Sequence, residues 1–362
     1  MVSSSCRPPF VYSKLHIFFH LGSKQCLNLP SLLSVLSVQA GISTRQEQFL
    51  KLQQDFRTNA FEIINQMVDW CNTTPGSRHL VDEILHSIFF LGKINTTPFT
   101  PEEIIPNKEM LNALKEEYPK PFECYLTHLP RRSPFSCVLD MVVLQKRPEN
   151  EDEVKQTLSD LVNRLKKGFL VSTTICISKS SNTESPAIRS NTVQQVQQYG
   201  VSMSTSGRNP GRIMIAASCL SSYWDEYVAA AVMTFYPDKK KKEYFDGTFK
   251  LSKGATCRAY NIKKASEMEP VMKPCKSCGN LFGFQETCQR EWPWPYGNCA
   301  EVESLSNLFK NDDQVKQQSR PQSDTFTPEN REKVRDETLE NLKKTLKTIQ
   351  FKTWSGEFYV PE

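Results

Sequence analysis

Three cysteines in the C-terminal third of the chain carry the clearest chemical signal. Cys275 and Cys278 are separated by two residues, and Cys299 follows after 20 further residues. The C-x-x-C spacing lets two sulfurs reach one tetrahedral ion from a single turn of chain. Because thiolates are preferred ligands of zinc, we predict a zinc site formed by Cys275, Cys278 and Cys299.

Other uses of these cysteines stay open. A C-x-x-C pair also serves as a redox dithiol in thiol oxidoreductases, although the further cysteine downstream favours metal binding. Cys288 lies between Cys278 and Cys299 and would complete a closed site of four thiolates. A closed site holds zinc for structural purposes, whereas a site of three thiolates leaves one coordination position for water.

Glu301 follows Cys299 by two residues, where the sequence predicts a turn entering a helix. With Asn298 at the N-cap and Glu301 at the third helical position, the two residues fit a capping box, which is a structural role. The alternative role is chemical, since a carboxylate beside a metal site can accept and deliver protons.

The Cys-Ala-Glu step at 299–301 and the Pro-Cys-x-x-Cys motif at 274–278 resemble the zinc-dependent cytidine deaminase-like superfamily. The resemblance implies that Cys275, Cys278 and Cys299 hold zinc, that water fills the fourth position and that Glu301 carries the proton. The two motifs occur here in the reverse of the family's usual order. The linker between them is long enough for two helices to begin side by side.

The resemblance also implies a substrate with an amino-bearing base, as a free nucleoside, a nucleotide or part of a nucleic acid. Three aromatic residues close to the cysteines are candidates for stacking on such a base: Trp292, Trp294 and Tyr296. Packing in the core or at the rim is the alternative role for these side chains.

Helical periodicity dominates the first third of the chain. Apolar residues recur at helical spacing over 43–72, from Leu80 to Leu91 and from Asn107 to Glu117. A proline-rich segment at 119–134 then predicts a connector. An α/β pattern follows, with a charged helix over 151–167 and a β-rich run at 169–177.

Four further segments predict strands, at 212–217, 227–236, 243–251 and 255–262, after a brief helix at 193–199. The run at 227–236 is apolar on both faces, which is typical of a central strand, with a buried helix as the alternative. Thr327 and Pro328 give a strong start signal for a C-terminal helix.

These patterns divide the chain into an unassigned segment (1–42), a helical region (43–133), an α/β zinc domain (134–318) and a C-terminal helix packed on it (319–362). We therefore expect an α+β or α/β fold. The deaminase resemblance implies that the zinc domain has three layers, α/β/α, around a mixed sheet.

Charge and composition constrain the partners and the compartment. The 45 basic and 40 acidic residues give a net charge of +5, too small to indicate a nucleic-acid binder by itself. A run of four lysines at 239–242 is either a solvated tip or a site that steers a phosphate-bearing ligand. The twelve cysteines are spread along the chain, which favours a reducing compartment, the cytoplasm or the nucleus. No apolar stretch reaches the roughly 18 residues of a membrane span, so we expect no membrane insertion.

Two functions follow from these observations. The first is a zinc-dependent hydrolytic deaminase of a nucleobase, nucleoside or nucleic acid. The second is a non-catalytic interaction protein, in which a structural four-cysteine zinc site holds a small domain together and the N-terminal helices bind a protein partner.

Overall fold

The computed structural model describes residues 51, 53–180, 196–205, 207–264, 271–288 and 293–362. The predicted helix over 43–72 lies in part outside these residues, and the unassigned segment 1–42 lies wholly outside them. Residues 51–362 cluster as one unit, in which helices and a small sheet share a hydrophobic core. No helix among the described residues has both the length and the apolar character needed to span a membrane.

Helices form the first part of the described chain, as the periodicity predicts. A helix over 53–73 (α1) buries Phe56, Ile63, Ile64 and Met67. It is followed by α2 (Arg78–Lys93), α3 (Pro101–Ile104), α4 (Lys108–Glu117), α5 (Pro119–Cys124), α6 (Pro134–Lys146) and α7 (Glu151–Arg164). The predicted third helix is α4, which begins where the Asn107 side chain accepts a hydrogen bond from the Met110 N–H. The proline-rich connector contains α5.

A three-stranded antiparallel sheet forms the β part of the fold. Its strands are β1 (Thr174–Ser180), β2 (Gln197–Val201) and β3 (Ala255–Asn261), arranged in the order β2-β1-β3. Cys176 of β1 pairs with Gly200 of β2 and with Ala259 of β3. The expected fold of mixed helix and sheet is observed, but every strand pairing in this sheet is antiparallel, where a mixed sheet was expected.

Several strand predictions are wrong. Residues 212–217 belong to α8 (Arg208–Leu220), residues 227–233 belong to α9 (Glu226–Met233), and residues 243–251 form no strand. In α9 the buried helix, which was the alternative, is correct because a row of alanines favours helix and the Asp225 carboxylate accepts from the Tyr227 N–H. The helix predicted at 193–199 is also wrong in its described part, because Gln197–Tyr199 lie in β2.

The remaining helices complete the C-terminal part. They are α10 (Lys276–Phe282), α11 (Ala300–Asn311), α12 (Asp313–Gln318) and α13 (Pro328–Thr348). The predicted start of α13 is confirmed, since the Thr327 hydroxyl accepts from the Asn330 N–H at 3.2 Å. Leu342 and Leu346 lie on its buried face, and α13 packs on α8 and α9.

Helix α11 lies directly on the sheet and contacts all three strands. The closest approach is at Gly200 of β2, where the α11 backbone occupies the space that a side chain would need. A Cβ atom at position 200 would overlap the Ser304 nitrogen and would lie 2.5 Å from the Ala300 carbonyl oxygen. The start of α11 is therefore positioned by contact between two backbones.

Replacing Gly200 with alanine should therefore lower the free energy of unfolding by about 3 kcal/mol, because backbone atoms cannot yield as side chains do. Urea unfolding at equilibrium measures the change. Gly254→Ala is the matched control, because a Cβ there would meet its nearest neighbour at an ordinary 3.6 Å. Equal stability of the two variants would contradict this role of Gly200.

One buried histidine connects α2 to the C-terminal tail. The His86 ring is fully buried and stacks on the Tyr359 ring, with centroids 3.8 Å apart and planes at 8°. The Tyr359 hydroxyl in turn donates to Asp82 at 2.6 Å. Burial disfavours the charged imidazolium and lowers the pKa of His86 from 6.5 to about 3.

Because the pKa of His86 is lower in the folded protein than in the unfolded chain, the folded protein binds fewer protons at pH values between 6.5 and 3. The resulting contribution of His86 to the free energy of unfolding is complete above pH 6.5 and is lost on acidification. Between pH 7 and pH 4 the free energy of unfolding of the wild type should fall by about 3 kcal/mol more than that of His86→Phe. Parallel pH profiles of the two proteins in urea titrations would refute the prediction.

Candidate metal centre

The three predicted cysteine sulfurs converge at the first turns of α10 and α11. The Cys275 Sγ lies 3.5 Å from the Cys278 Sγ and 3.3 Å from the Cys299 Sγ. All three sulfurs lie within 4.8 Å of one another. Cys275 is the N-cap residue of α10 and Cys299 is the N-cap residue of α11, so two helix starts present their sulfurs to one point.

Hydrogen bonding at the helix starts also favours metal binding by these sulfurs. The Cys278 N–H donates to the Cys275 Sγ at 3.4 Å, as an N–H does to the oxygen of an ordinary N-cap residue. Hydrogen bonds from Cys278 and Cys299 lower the pKa of Cys275 to about 2, while the pKa values of Cys278 and Cys299 are raised. A divalent cation bound to these sulfurs would displace their remaining protons.

The donor set fits a thiophilic metal ion. Ideal tetrahedral coordination with zinc–sulfur bonds of about 2.3 Å places sulfurs roughly 3.8 Å apart, close to the observed separations. Thiolates suit zinc, copper(I) or iron and do not suit magnesium or calcium. Cys278 is buried, whereas Cys275 and Cys299 are partly exposed. The cluster is therefore positioned to bind a metal ion.

Cys288 lies near the cluster without joining it. Its backbone N–H donates to the Pro274 carbonyl at 2.8 Å, directly before the first ligand. Its sulfur is not among the ligand atoms that lie within 4.8 Å of one another. Among the described residues, the structure therefore assembles three thiols and places the backbone of a fourth cysteine beside them.

Glu301 is the second residue of α11, and its side chain is buried beside the Cys278 sulfur, with 6% of the residue exposed. Burial raises the pKa of Glu301 to about 7 in the metal-free protein. The capping box with Asn298 is wrong, because α11 begins one residue later than expected and Cys299 is its N-cap. No lysine, arginine or histidine among the described residues forms an ion pair with Glu301.

Glu303, in the same turn, shows how this fold satisfies a structural acid. Both carboxylate oxygens are used: Oε2 accepts from the Val201 N–H at 2.8 Å, and Oε1 accepts from the Tyr223 hydroxyl at 2.7 Å. Glu303 is 5% exposed, so the two acids are buried to a similar degree. They differ in their partners, because Glu303 ties α11 to the sheet and Glu301 borders the sulfur cluster.

The aromatic residues near the site have different environments. Tyr296 is a packing residue, since it is 5% exposed and its ring stacks on Phe235 with centroids 4.0 Å apart. Its hydroxyl accepts from the Asn280 amide at 2.7 Å. Trp294 is 48% exposed, and Trp292 lies outside the described residues. Of the described aromatic pair, only Trp294 presents a large accessible surface.

A cavity of about 510 Å³ adjoins the centre, and we call it the α8 cavity. Its lining includes Arg208, Arg212, Phe235, Lys239, Trp294 and Asn298. Asn298 directly precedes Cys299, so one end of the cavity reaches the start of α11. Neither Glu301 nor the three cysteines are among its lining residues.

Two further thiols near the centre have no signal in the sequence. The Cys176 and Cys257 sulfurs lie 3.3 Å apart on neighbouring strands, and Cys176 packs on Ala300 of α11. Their separation of 81 residues in the chain gives no motif. The hydrogen-bond partners of Glu303, Val201 and Tyr223, also lie far from it in the sequence, so only the folded structure identifies them.

Comparisons with family models, with curated proteins and with solved structures each give no match to this chain. The deaminase resemblance therefore depends on the two motifs alone.

Serine in place of Cys275, Cys278 or Cys299 should reduce the metal content of the purified protein to a small fraction of one equivalent, because each change removes one of three ligands. Mass spectrometry of the metal after gel filtration measures the stoichiometry and identifies the ion. Cys124→Ser on α5 is the matched control and should keep the full content. Cys288→Ser should keep it too, and its loss would instead indicate a fourth thiolate ligand.

Proposed function

We propose that the chain is a zinc-dependent hydrolytic deaminase that acts on the amino group of a nucleobase, in a nucleoside, a nucleotide or a nucleic acid. The observation that carries the proposal is the environment of Glu301. Glu301 is buried without a cation and without a capping role and contacts the Cys278 thiol of the cluster, whereas Glu303 in the same turn uses both carboxylate oxygens in structural hydrogen bonds. Its place beside the sulfur cluster supports a chemical role.

The proposed reaction uses one water molecule and releases ammonia. The bond from the ring carbon to the amino nitrogen breaks, and the water supplies the oxygen of the new carbonyl group. Zinc held by Cys275, Cys278 and Cys299 would make this water acidic. Glu301 accepts the water proton at its carboxylate and delivers it to the departing amine.

The charge of the ligand set explains why the acid is needed. Three thiolates around a divalent ion leave a net charge of −1, so they activate water less strongly than three neutral imidazoles would. A proton acceptor beside the cluster offsets this weakness. Glu301 occupies such a position, on the same helix turn as the Cys299 ligand.

The second candidate function is the non-catalytic interaction protein with a structural four-cysteine zinc site. The hydrogen bond from the Cys288 N–H to the Pro274 carbonyl favours it, because it holds a fourth cysteine beside the ligands. The absence of Glu301 from the lining of the α8 cavity favours it as well. In this function the N-terminal helices bind a protein partner.

X-ray absorption at the metal edge separates the two functions. Three sulfurs and one oxygen around zinc support the deaminase, because an open position is available for water. Four sulfurs support the structural site. The measurement uses the full chain as purified and requires no substrate.

Changing Glu301 to Gln should lower ammonia release at least about 100-fold, because the amide cannot accept the water proton. Zinc content should stay at the wild-type level, and the free energy of unfolding should not fall, because the change replaces a buried acid with a neutral side chain of the same shape. Activity is measured with cytidine, adenosine, guanosine, their 5′-monophosphates and single-stranded oligonucleotides, by enzymatic assay of ammonia.

Glu303→Gln is the matched control for this experiment. It should lower the free energy of unfolding by about 2 kcal/mol, because it disrupts the bonds to Val201 and Tyr223, yet lower activity per folded molecule far less than Glu301→Gln does. Zinc-loaded wild-type protein that releases no ammonia from any of these substrates would refute the enzyme proposal.

A further inference from the structure

The α8 cavity has the size and the walls of a site for a small ligand. Its volume of about 510 Å³ lies within the range of roughly 300–1,000 Å³ that is usual for ligand pockets. Three separate parts of the chain enclose it: the first turns of α8, the turn at 235–239 and the segment 294–298. This volume accommodates one mononucleotide and not a folded polymer.

The charged residues of the α8 cavity favour an anion. Arg208, Arg212 and Lys239 line it with one carboxylate, Asp238, which gives a net charge of +2. Two of these cations are tethered, since Arg212 donates to Asp238 at 2.9 Å and Lys239 donates to the Pro293 carbonyl at 2.8 Å. Tethering fixes the positions of their charges at the wall of the cavity.

Arg208 differs from the other two cations. It is exposed, and its guanidinium forms no ion pair or hydrogen bond among the described residues. Five N–H donors of a planar guanidinium are therefore available at the cavity, and their geometry matches the oxygens of a phosphate. Gly207, the N-cap of α8, supplies no side-chain acceptor, so the N–H groups of Arg208 and Asn209 add to the same positive end, whereas Pro210 has no N–H.

Another part of the lining offers contacts to an aromatic ring. The Trp294 indole is 48% exposed, and the chain at this point is anchored because its carbonyl accepts from the Ser277 hydroxyl at 2.7 Å. Pro293 and Pro295 stiffen the backbone on both sides of it. An indole held in this way provides a stacking surface for a base.

The Asn298 side chain adds a polar group to the lining of the α8 cavity. Its Oδ1 atom is buried and has no hydrogen-bond partner. This acceptor gains a hydrogen bond when the side chain turns toward a donor in the cavity, such as the hydroxyl of a sugar or the amino group of a base. Because Asn298 precedes Cys299, a donor bound there lies at the end of the cavity nearest to the metal centre.

We propose that the α8 cavity binds a nucleoside 5′-monophosphate, with the phosphate at Arg208 and the base against Trp294. The proposal does not depend on the proposed function, because neither Glu301 nor the three cysteines line the α8 cavity. Binding itself depends on the cavity, on its charges and on the indole.

Isothermal titration calorimetry with CMP, AMP and GMP tests the proposal. The titrated protein is the Glu301→Gln variant, so that no nucleotide is converted during the measurement. At least one of the three nucleotides should bind, its nucleoside should bind at least about 10-fold more weakly, and inorganic phosphate should compete with it. Arg208→Ala should weaken binding of the nucleotide at least about 10-fold, and Trp294→Leu should also weaken it.

Arg320→Ala is the matched control, since Arg320 is exposed at the end of α12, away from the cavity lining, and should leave binding unchanged. Equal affinity of the Arg208→Ala variant and the wild type would overturn the proposal, as would binding of oligonucleotides without any binding of mononucleotides. Nucleotide binding that responds to Arg208 while the wild type releases no ammonia would overturn the deaminase alone and support the binding site.

Discussion

The structure around the metal centre depends on the direct contact between the α11 backbone and β2 at Gly200. A side chain at this position would overlap the first two turns of the helix, so the absence of one sets the height of α11 above the sheet. The same contact carries a hydrogen bond, because Glu303 accepts from the N–H of the neighbouring Val201. Steric fit and hydrogen bonding thus position the helix whose N-cap is Cys299 and whose second residue is Glu301.

A buried polar network extends this contact to the N-terminal helices. Tyr223 donates to Glu303 and lies beneath the Arg132 guanidinium, which in turn forms ion pairs with Glu83 of α2 and with Asp140 of α6. Buried pairs of this kind often add little net stability, but removing one partner is costly, so they favour one arrangement of the helices over others. The helical first part of the chain therefore helps to hold the start of α11 in place, although it contributes no ligand to the metal centre.

The two acids of α11 show how one helix turn can serve two purposes. Glu303 uses both carboxylate oxygens in hydrogen bonds to Val201 and Tyr223, whereas Glu301 is buried to a similar extent beside the Cys278 sulfur. The adjoining α8 cavity has the opposite electrostatic character, with a net positive charge and an exposed indole. Asn298 separates the two regions. The cationic lining of the cavity and the sulfur cluster therefore border the same segment, since Asn298 lines the cavity and directly precedes Cys299.

Local signals in the sequence determined the elements that depend on neighbouring residues. The C-x-x-C spacing identified two of the three sulfurs that converge, and the capping residues Asn107 and Thr327 marked the starts of α4 and α13, because caps and short ligand spacings act within one turn of chain. Cys299 lies far beyond one turn from the other two and was identified through the resemblance of its Cys-Ala-Glu step to the deaminase motif. Tertiary structure decided the rest. The apolar runs in α8 and α9 have no period that separates helix from strand once every face is buried. The start of α11, the partners of Glu303 and the α8 cavity all depend on residues far apart in the chain, whose proximity arises only when the helices pack on the sheet.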